Sequence, residues 1–130
     1  MTASLMRSDT KALYNLEKLG DVMNPLEAEV VVVPATGTLT GVGWAVDGAN
    51  KAAAGGVDVA VDGRPHRAES GRERPDVGQH FNIRAYDSSG FIFYLPVAKL
   101  GPGVHKLTMR VVSHDGKTYS EGLPVRLEIR

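Results

Sequence analysis

Cysteine is absent from this 130-residue chain. That excludes a disulfide scaffold, a zinc site with thiolate ligands and a cysteine nucleophile. It leaves the compartment open, because a domain of this size can build one hydrophobic core without a disulfide. Net charge is absent too, since fifteen Lys and Arg balance fifteen Asp and Glu. A neutral chain carries no electrostatic footprint for nucleic acid or an anionic membrane, so neither is expected as a partner. No apolar run approaches the roughly 18 residues that cross a bilayer. The run Val30-Val31-Val32-Val33, stopped by Pro34, reads as a buried strand. No secretory leader is legible either: Arg7 comes late, and Asp9 and Lys11 follow before any apolar stretch. The chain is expected to be either a soluble cytoplasmic protein or a piece of a larger exported or membrane-bound one.

The usual carriers of chemistry are also missing. His66, His80, His105 and His114 show no i, i+4 or His-x-His spacing of a local metal site. Asp47, Asp58 and Asp62 do not form an Asp-x-Asp-x-Asp loop, and Asp47 and Asp62 stand directly before glycines, as turn residues do. Ser89 precedes Gly90 without a Gly-x-Ser-x-Gly elbow. No phosphate-cradling glycine loop is present. Asp76 and His80 lie four residues apart and would meet on a helical turn, as an acid–base pair requires. Any Asp and His so spaced would do the same. No catalytic residue, metal or cofactor is therefore expected, and the chain is read as a non-enzyme.

What is present is the grammar of strands and turns. Val57, Val59 and Val61 alternate with Asp58, Ala60 and Asp62. Phe91, Phe93, Leu95 and Val97 share one face, as do Leu107, Met109 and Val111, and again Val125, Leu127 and Ile129. Such period-2 alternation marks half-buried antiparallel strands. Over residues 39–47, Val42, Trp44 and Val46 lie on one face, opposite Gly41, Gly43 and Ala45. The large face is expected inside, with Trp44 in the core; a sugar-stacking platform is the alternative role for Trp44. Asp47-Gly48, Gly55-Gly56, Asp62-Gly63, Gly101-Pro102-Gly103 and Asp115-Gly116 supply turns. A tight hairpin is expected at Asp115-Gly116. The fold class is all-β: a sandwich of about seven to eight strands, with a barrel as the alternative.

Two stretches break the pattern. Residues 10–19 place Leu13, Leu16 and Leu19 at every third position between Asp9 and Gly20, which locally favours a helix, although an edge strand fits as well. Residues 64–87 are long, charged and poor in alternation, with room for one helical turn over residues 75–81 started by Pro75. Long irregular insertions on rigid sandwiches often carry function.

Together, Trp44-Ala45-Val46-Asp47, Ala54-Gly55-Gly56-Val57, Val61-Asp62-Gly63, Arg74-Pro75-Asp76-Val77, Ser89-Gly90-Phe91 and the Gly-x-His ending at His105 resemble an extracytoplasmic Ig-like β-sandwich module. Modules of that family sit at the C-termini of bacterial multi-pass membrane proteins, several of them glycosyltransferase-like. The resemblance runs from Tyr14 to the C-terminus. It implies that Tyr14-Asn15-Leu16-Glu17 opens the first strand, against the local helical pattern, and that strand reading is adopted. It transfers no catalytic residue, and this chain departs from the pattern in lacking the membrane region.

These observations give residues 1–11 as a tail or linker and residues 12–130 as one Ig-like sandwich domain. The expected function is a non-catalytic accessory or protein-interaction module of a bacterial cell-envelope system, outside the cytoplasm. A carbohydrate-binding module and a structural subunit of a surface filament are the alternatives. The expected partner is another protein or a parent membrane protein, with a glycan as the alternative. Weak ligand-binding candidates are Arg72, Arg74 and Asp76 in the long loop, and Tyr86 and Tyr94 as an aromatic edge. Arg74 and Asp76 can equally form a clasp that closes the loop on itself.

Overall fold

The structure, a computed structural model, describes residues 2–130. Thirteen strands are found among the described residues. They are β1 (Met6–Arg7), β2 (Leu13–Leu19), β3 (Val22–Met23), β4 (Val31–Val33), β5 (Thr38–Asp47), β6 (Ala52–Ala53), β7 (Gly56–Val61), β8 (Arg64–Arg67), β9 (Glu69–Arg72), β10 (Gly90–Pro96), β11 (Gly103–Val112), β12 (Thr118–Glu121) and β13 (Val125–Ile129). Two short helices, α1 (Pro75–Phe81) and α2 (Val97–Leu100), flank β10. The count exceeds the seven or eight expected because β1, β3 and β6 are two-residue additions at sheet margins, and β8 and β9 fall in the stretch expected to be irregular.

The strands form two sheets, one of seven strands and one of six. In the first, β11 is central. β7 and then β8 lie on one side of it. On the other side β13 pairs with residues 103–107 and β12 with residues 110–112. β1 extends β12 and β4 extends β13, both in parallel. The second sheet runs β3-β2-β5-β10-β9, with β6 at the end of β5.

The core fills the space between the sheets. Val57, Val59, Val61, Leu107, Met109, Val111, Val125, Leu127 and Ile129 face Leu16, Leu19, Phe91, Phe93 and Leu95. Each such side chain contributes about 1.5–3 kcal/mol by leaving water. The hairpin at Asp115-Gly116 forms as expected, with Gly116 at φ 78° and Ser113 N–H donating to Thr118 C=O at 2.8 Å.

Of four expectations, three are corrected and one is met. The small face of β5 points inward, not the face bearing Trp44. Phe91 and Phe93 lie directly opposite Gly43 and Gly41, and their rings occupy the space that Cβ atoms there would need. The glycines are small because the neighbouring strand supplies the bulk. Val42 and Trp44 therefore lie on the outer face, each half-buried.

Second, residues 13–19 are the strand expected from the resemblance, against the local helical pattern, and a bulge explains their helix-like spacing. Leu16 pairs with Gly43 and Lys18 with Val42, so Glu17 is the extra residue. The bulge lets Leu16 and Leu19, three positions apart, both point into the core.

Third, residues 64–87 are not an irregular loop. They hold β8, β9, α1 and a 3-10 turn, Arg84–Ser88, and Pro75 does open α1. Fourth, residues 1–11 are not wholly a tail. Thr2 is buried, and Met6–Arg7 pair with β12. Met1 lies outside the described residues. The run at residues 30–33, expected as a buried strand, is instead an edge strand over Val31–Val33, with Val32 turned to solvent between buried Val31 and Val33.

Candidate functional site

The outer face of the second sheet carries a second, smaller apolar cluster. α1 and the Arg84–Ser88 turn lie across the β5 end that bears Val46. Val77 and Tyr86 bury Val46, with Leu13, Trp44, Phe81 and Ile83 packed around them. Phe81 stands edge-on between Trp44 and Tyr86, with ring centroids 5.6 Å and 5.4 Å away. Gly78 is required in α1 because the Asp87 carboxyl occupies the place of its Cβ.

Arg74 fastens this cap to the sheet. It precedes α1, and its backbone N–H donates to Asp87 C=O at 2.6 Å. Its Nη1 donates to Glu17 Oε1 at 2.6 Å and its Nη2 to Glu17 Oε2 at 3.1 Å. Its Nε and Nη2 donate to the two Asp76 oxygens at 3.0 and 2.9 Å. The guanidinium fork thus grips two carboxylates at once, a geometry that suits arginine and not lysine. The bonds to Asp76, and then to Glu17, raise the Arg74 pKa above its usual value. The Arg74 bonds hold the Asp76 carboxyl below the usual carboxylate range.

Glu17, Trp44, Arg74, Asp76, His80 and Phe81 line an open cleft of about 300 Å³, closed below by Val77. A neighbouring cleft of about 230 Å³ shares Glu17 and Arg74 and continues over Val42, Arg72 and Ile92. The sequence candidates Arg72, Arg74 and Asp76 are thus brought together. The two tyrosines are not, because Tyr86 is only 2% exposed while Tyr94 is 54% exposed on the outer face of β10. Of the expected aromatic edge only Tyr94 is exposed, while Trp44 and Phe81 form a separate aromatic pair at the cleft. Burial, and then the Asp47 charge, push the Tyr86 pKa up. Glu17 and Phe81 were missed. Phe81 carried a signal, since it stands four residues after Val77 on one helical face. The bulge that turns Glu17 outward left none.

The arrangement offers aromatic faces, acceptor oxygens and one guanidinium, but no free acid–base pair. Asp76 is held by Arg74, while His80 lies edge-on to Phe81 at 4.9 Å. Ser89 is buried, with its Oγ unpartnered and out of reach of a substrate. The other polar clusters serve structure. Asp47 accepts from Asn50 and from the His114 backbone, beside a recess of about 120 Å³. Asp62 accepts from the Lys106 N–H and meets His105 at 2.6 Å. Asp58 accepts from Thr2 and Arg67. Among the described residues, no group of three His, Asp or Glu side chains could hold a metal ion. No helix of the described residues is long and apolar enough to cross a membrane.

No family model matches the chain, and no curated protein matches it. Among solved structures, the chain is similar to part of the endo-beta-1,4-mannanase from Thermotoga petrophila, with a TM-score of 0.52 and 14% sequence identity. The match covers 99% of this chain and 21% of that one, so this chain spans about a fifth of that protein's length. At such identity the likeness concerns the fold alone, and with the two packed sheets it gives an all-β, sandwich-like domain.

Proposed function

We propose that the chain is a non-catalytic accessory module of a bacterial cell-envelope system, an Ig-like sandwich held outside the cytoplasm that binds through the outer face of its second sheet. The observation that carries this reading is the Arg74 clasp. Catalysis by proton transfer needs one group free to accept a proton and another free to give it. Here the two carboxylates nearest the cleft are locked to one guanidinium, so the charged motif builds a binding surface. The resemblance of the turn motifs to extracytoplasmic modules supports the location. Fractionation of cells carrying the epitope-tagged protein at its own locus tests it. Recovery with the envelope fraction is expected, and recovery wholly in the cytoplasm overturns the location. Asp76→Ala tests the non-catalytic claim: a hydrolytic activity of the wild type that this variant abolished would overturn it.

A second reading, carbohydrate binding, is favoured by one further observation. Trp44 and Phe81 meet at a cleft whose remaining walls are carboxylate, guanidinium and imidazole. Apolar faces with a few placed polar groups are what ligand sites are made of. One structure of similar fold is an endo-beta-1,4-mannanase. Its activity belongs to that protein, but β-1,4-linked mannan is a sensible first ligand to try. Calorimetric titration with mannan oligosaccharides is expected to give heat, and none at millimolar ligand overturns this reading.

A further inference from the structure

We infer that the outer face of the second sheet is a groove for a linear, uncharged glycan, running from Phe81 and Trp44 across the Glu17–Arg74 pair to Tyr94. The inference rests on the carbohydrate reading and adds the ligand's length and charge.

Register sets the length. Trp44, Val42 and Thr40 lie opposite Gly90, Ile92 and Tyr94, all on the outer face. From Trp44 to Thr40 is four residues, or about 14 Å of strand. Phe81 adds a second aromatic ring beside Trp44, with its centroid 5.6 Å away. The two clefts along this line share Glu17 and Arg74, so the ion pair joins them into one path. Tyr94, two residues past Ile92 on the same face, lines neither cleft and stands beyond the second as an exposed aromatic ring. A path of this length suits several linked sugar rings and is too long for one.

Chemistry sets the class. A pyranose ring presents C–H bonds on its faces and hydroxyls around its edge. The faces match the rings of Trp44, Phe81 and Tyr94, and the hydroxyls match carboxylate oxygens. Each carboxylate oxygen of Glu17 and Asp76 has acceptor capacity beyond its bond to Arg74. Two carboxylates against one guanidinium leave the Trp44 end acidic, which disfavours phosphate or uronate groups there. From Trp44 to Ile92 the path crosses strands paired on both sides, so an extended peptide finds no unpaired backbone ladder to join along that stretch.

The sequence holds a single tryptophan, Trp44, so its emission reports on this groove directly. The test titrates β-1,4-linked hexasaccharides of mannose, glucose and xylose, and the matching disaccharides, into the protein while following emission and heat. At least one hexasaccharide is expected to shift the Trp44 emission and to bind about tenfold more tightly than its disaccharide. Tyr94→Ala is expected to remove about that factor for the hexasaccharide and none for the disaccharide, with unchanged thermal unfolding because Tyr94 is exposed. Equal affinity for both lengths with no effect of Tyr94→Ala overturns the groove and leaves the carbohydrate reading standing. Tighter binding of a hexagalacturonate than of every neutral hexasaccharide overturns the charge assignment. No heat and no emission change with any probe at millimolar concentration overturns the groove and the carbohydrate reading together.

Discussion

Glu17 and Arg74 stand 57 positions apart in the chain and share two hydrogen bonds, of 2.6 and 3.1 Å. The bond exists because a bulge in β2 turns Glu17 out of the strand's alternation, towards the start of α1. A local irregularity in one strand thereby holds the helix that shapes the cleft.

Arg74→Lys is expected to lower stability by about 1 kcal/mol, since a point charge cannot hold both carboxylates in fork geometry. The Trp44 emission of the variant should move towards that of an exposed indole as α1 loosens. Urea unfolding together with the emission spectrum checks both. An unchanged midpoint and spectrum would show that the apolar contacts of Val77 and Phe81 hold α1 unaided.

Gly41→Ala is expected to destabilise by roughly 3 kcal/mol, because the Phe93 ring fills the Cβ position. Phe93→Leu, harmful alone, should recover part of that loss in the double variant. A double-mutant cycle measures the coupling. Strict additivity of the two losses would contradict the inward packing of Phe93 over Gly41.

Stability is expected to depend on pH through His105 and Asp62. His105 Nδ1 lies 2.6 Å from Asp62 Oδ2, and Nε2 lies 2.8 Å from Gly101 C=O. Both neighbours only accept, so both ring nitrogens carry protons. The Asp62 bond, and then the Gly101 carbonyl, raise the His105 pKa above 6.5. The His105 bond, and then the Lys106 N–H, hold the Asp62 pKa below 3.8. A raised histidine gives its full stability below its unfolded pKa and loses it as pH rises through the folded value. A lowered aspartate gives its stability above its unfolded pKa and loses it as pH falls through the folded value. The pair therefore contributes most between about pH 4 and pH 6.5. The stability gap between wild type and His105→Gln should be wide at about pH 5.5 and narrow at about pH 9. A gap independent of pH would contradict the doubly donating ring.

Asp58→Ala is expected to cost about 2–3 kcal/mol. Asp58 is 1% exposed on the outer face of the first sheet. Its carboxylate accepts from Thr2 N–H, Thr2 Oγ1 and Arg67 Nε at 3.1, 2.8 and 2.8 Å. Burial acts to raise its pKa, but the Thr2 bonds and the Arg67 charge outweigh it and lower the pKa. Thermal unfolding measures the loss, and hydrogen exchange at residues 2–7 should rise in the same variant. Unchanged exchange there would mean that the pairing of Met6–Arg7 with β12 holds the segment without Asp58.

The inward sets on β7, β10, β11 and β13 were legible because each alternates within its own strand and faces the other sheet. The helix at residues 75–81 was legible because Pro75 marks its first turn. The face of β5 was not, because residue size usually marks the core side. Here the bulk over Gly41 and Gly43 comes from Phe93 and Phe91, some fifty positions later in the sequence. The strand nature of residues 13–19 was hidden for a related reason, since one bulged residue converts a period of two into a spacing of three. Tyr86 reads as a surface tyrosine until the Arg84–Ser88 turn tucks it under α1. Of the cleft, Arg74 and Asp76 were visible as a motif, whereas Glu17, Trp44 and Phe81 join them only through tertiary packing.

The central position of β11 has a consequence for synthesis. β7 needs β11 beside it, and β4 needs β13, so residues 56–61 and 31–33 wait for partners that lie about fifty and about a hundred residues further along the chain. A nascent chain stopped before Gly103 holds Val57, Val59 and Val61 on a strand without its main neighbour. Such long-range pairing is slow, in the range of milliseconds to seconds. The first sheet therefore closes only after residues 103–129 have left the ribosome, and until then its valines are open to chaperones and to one another.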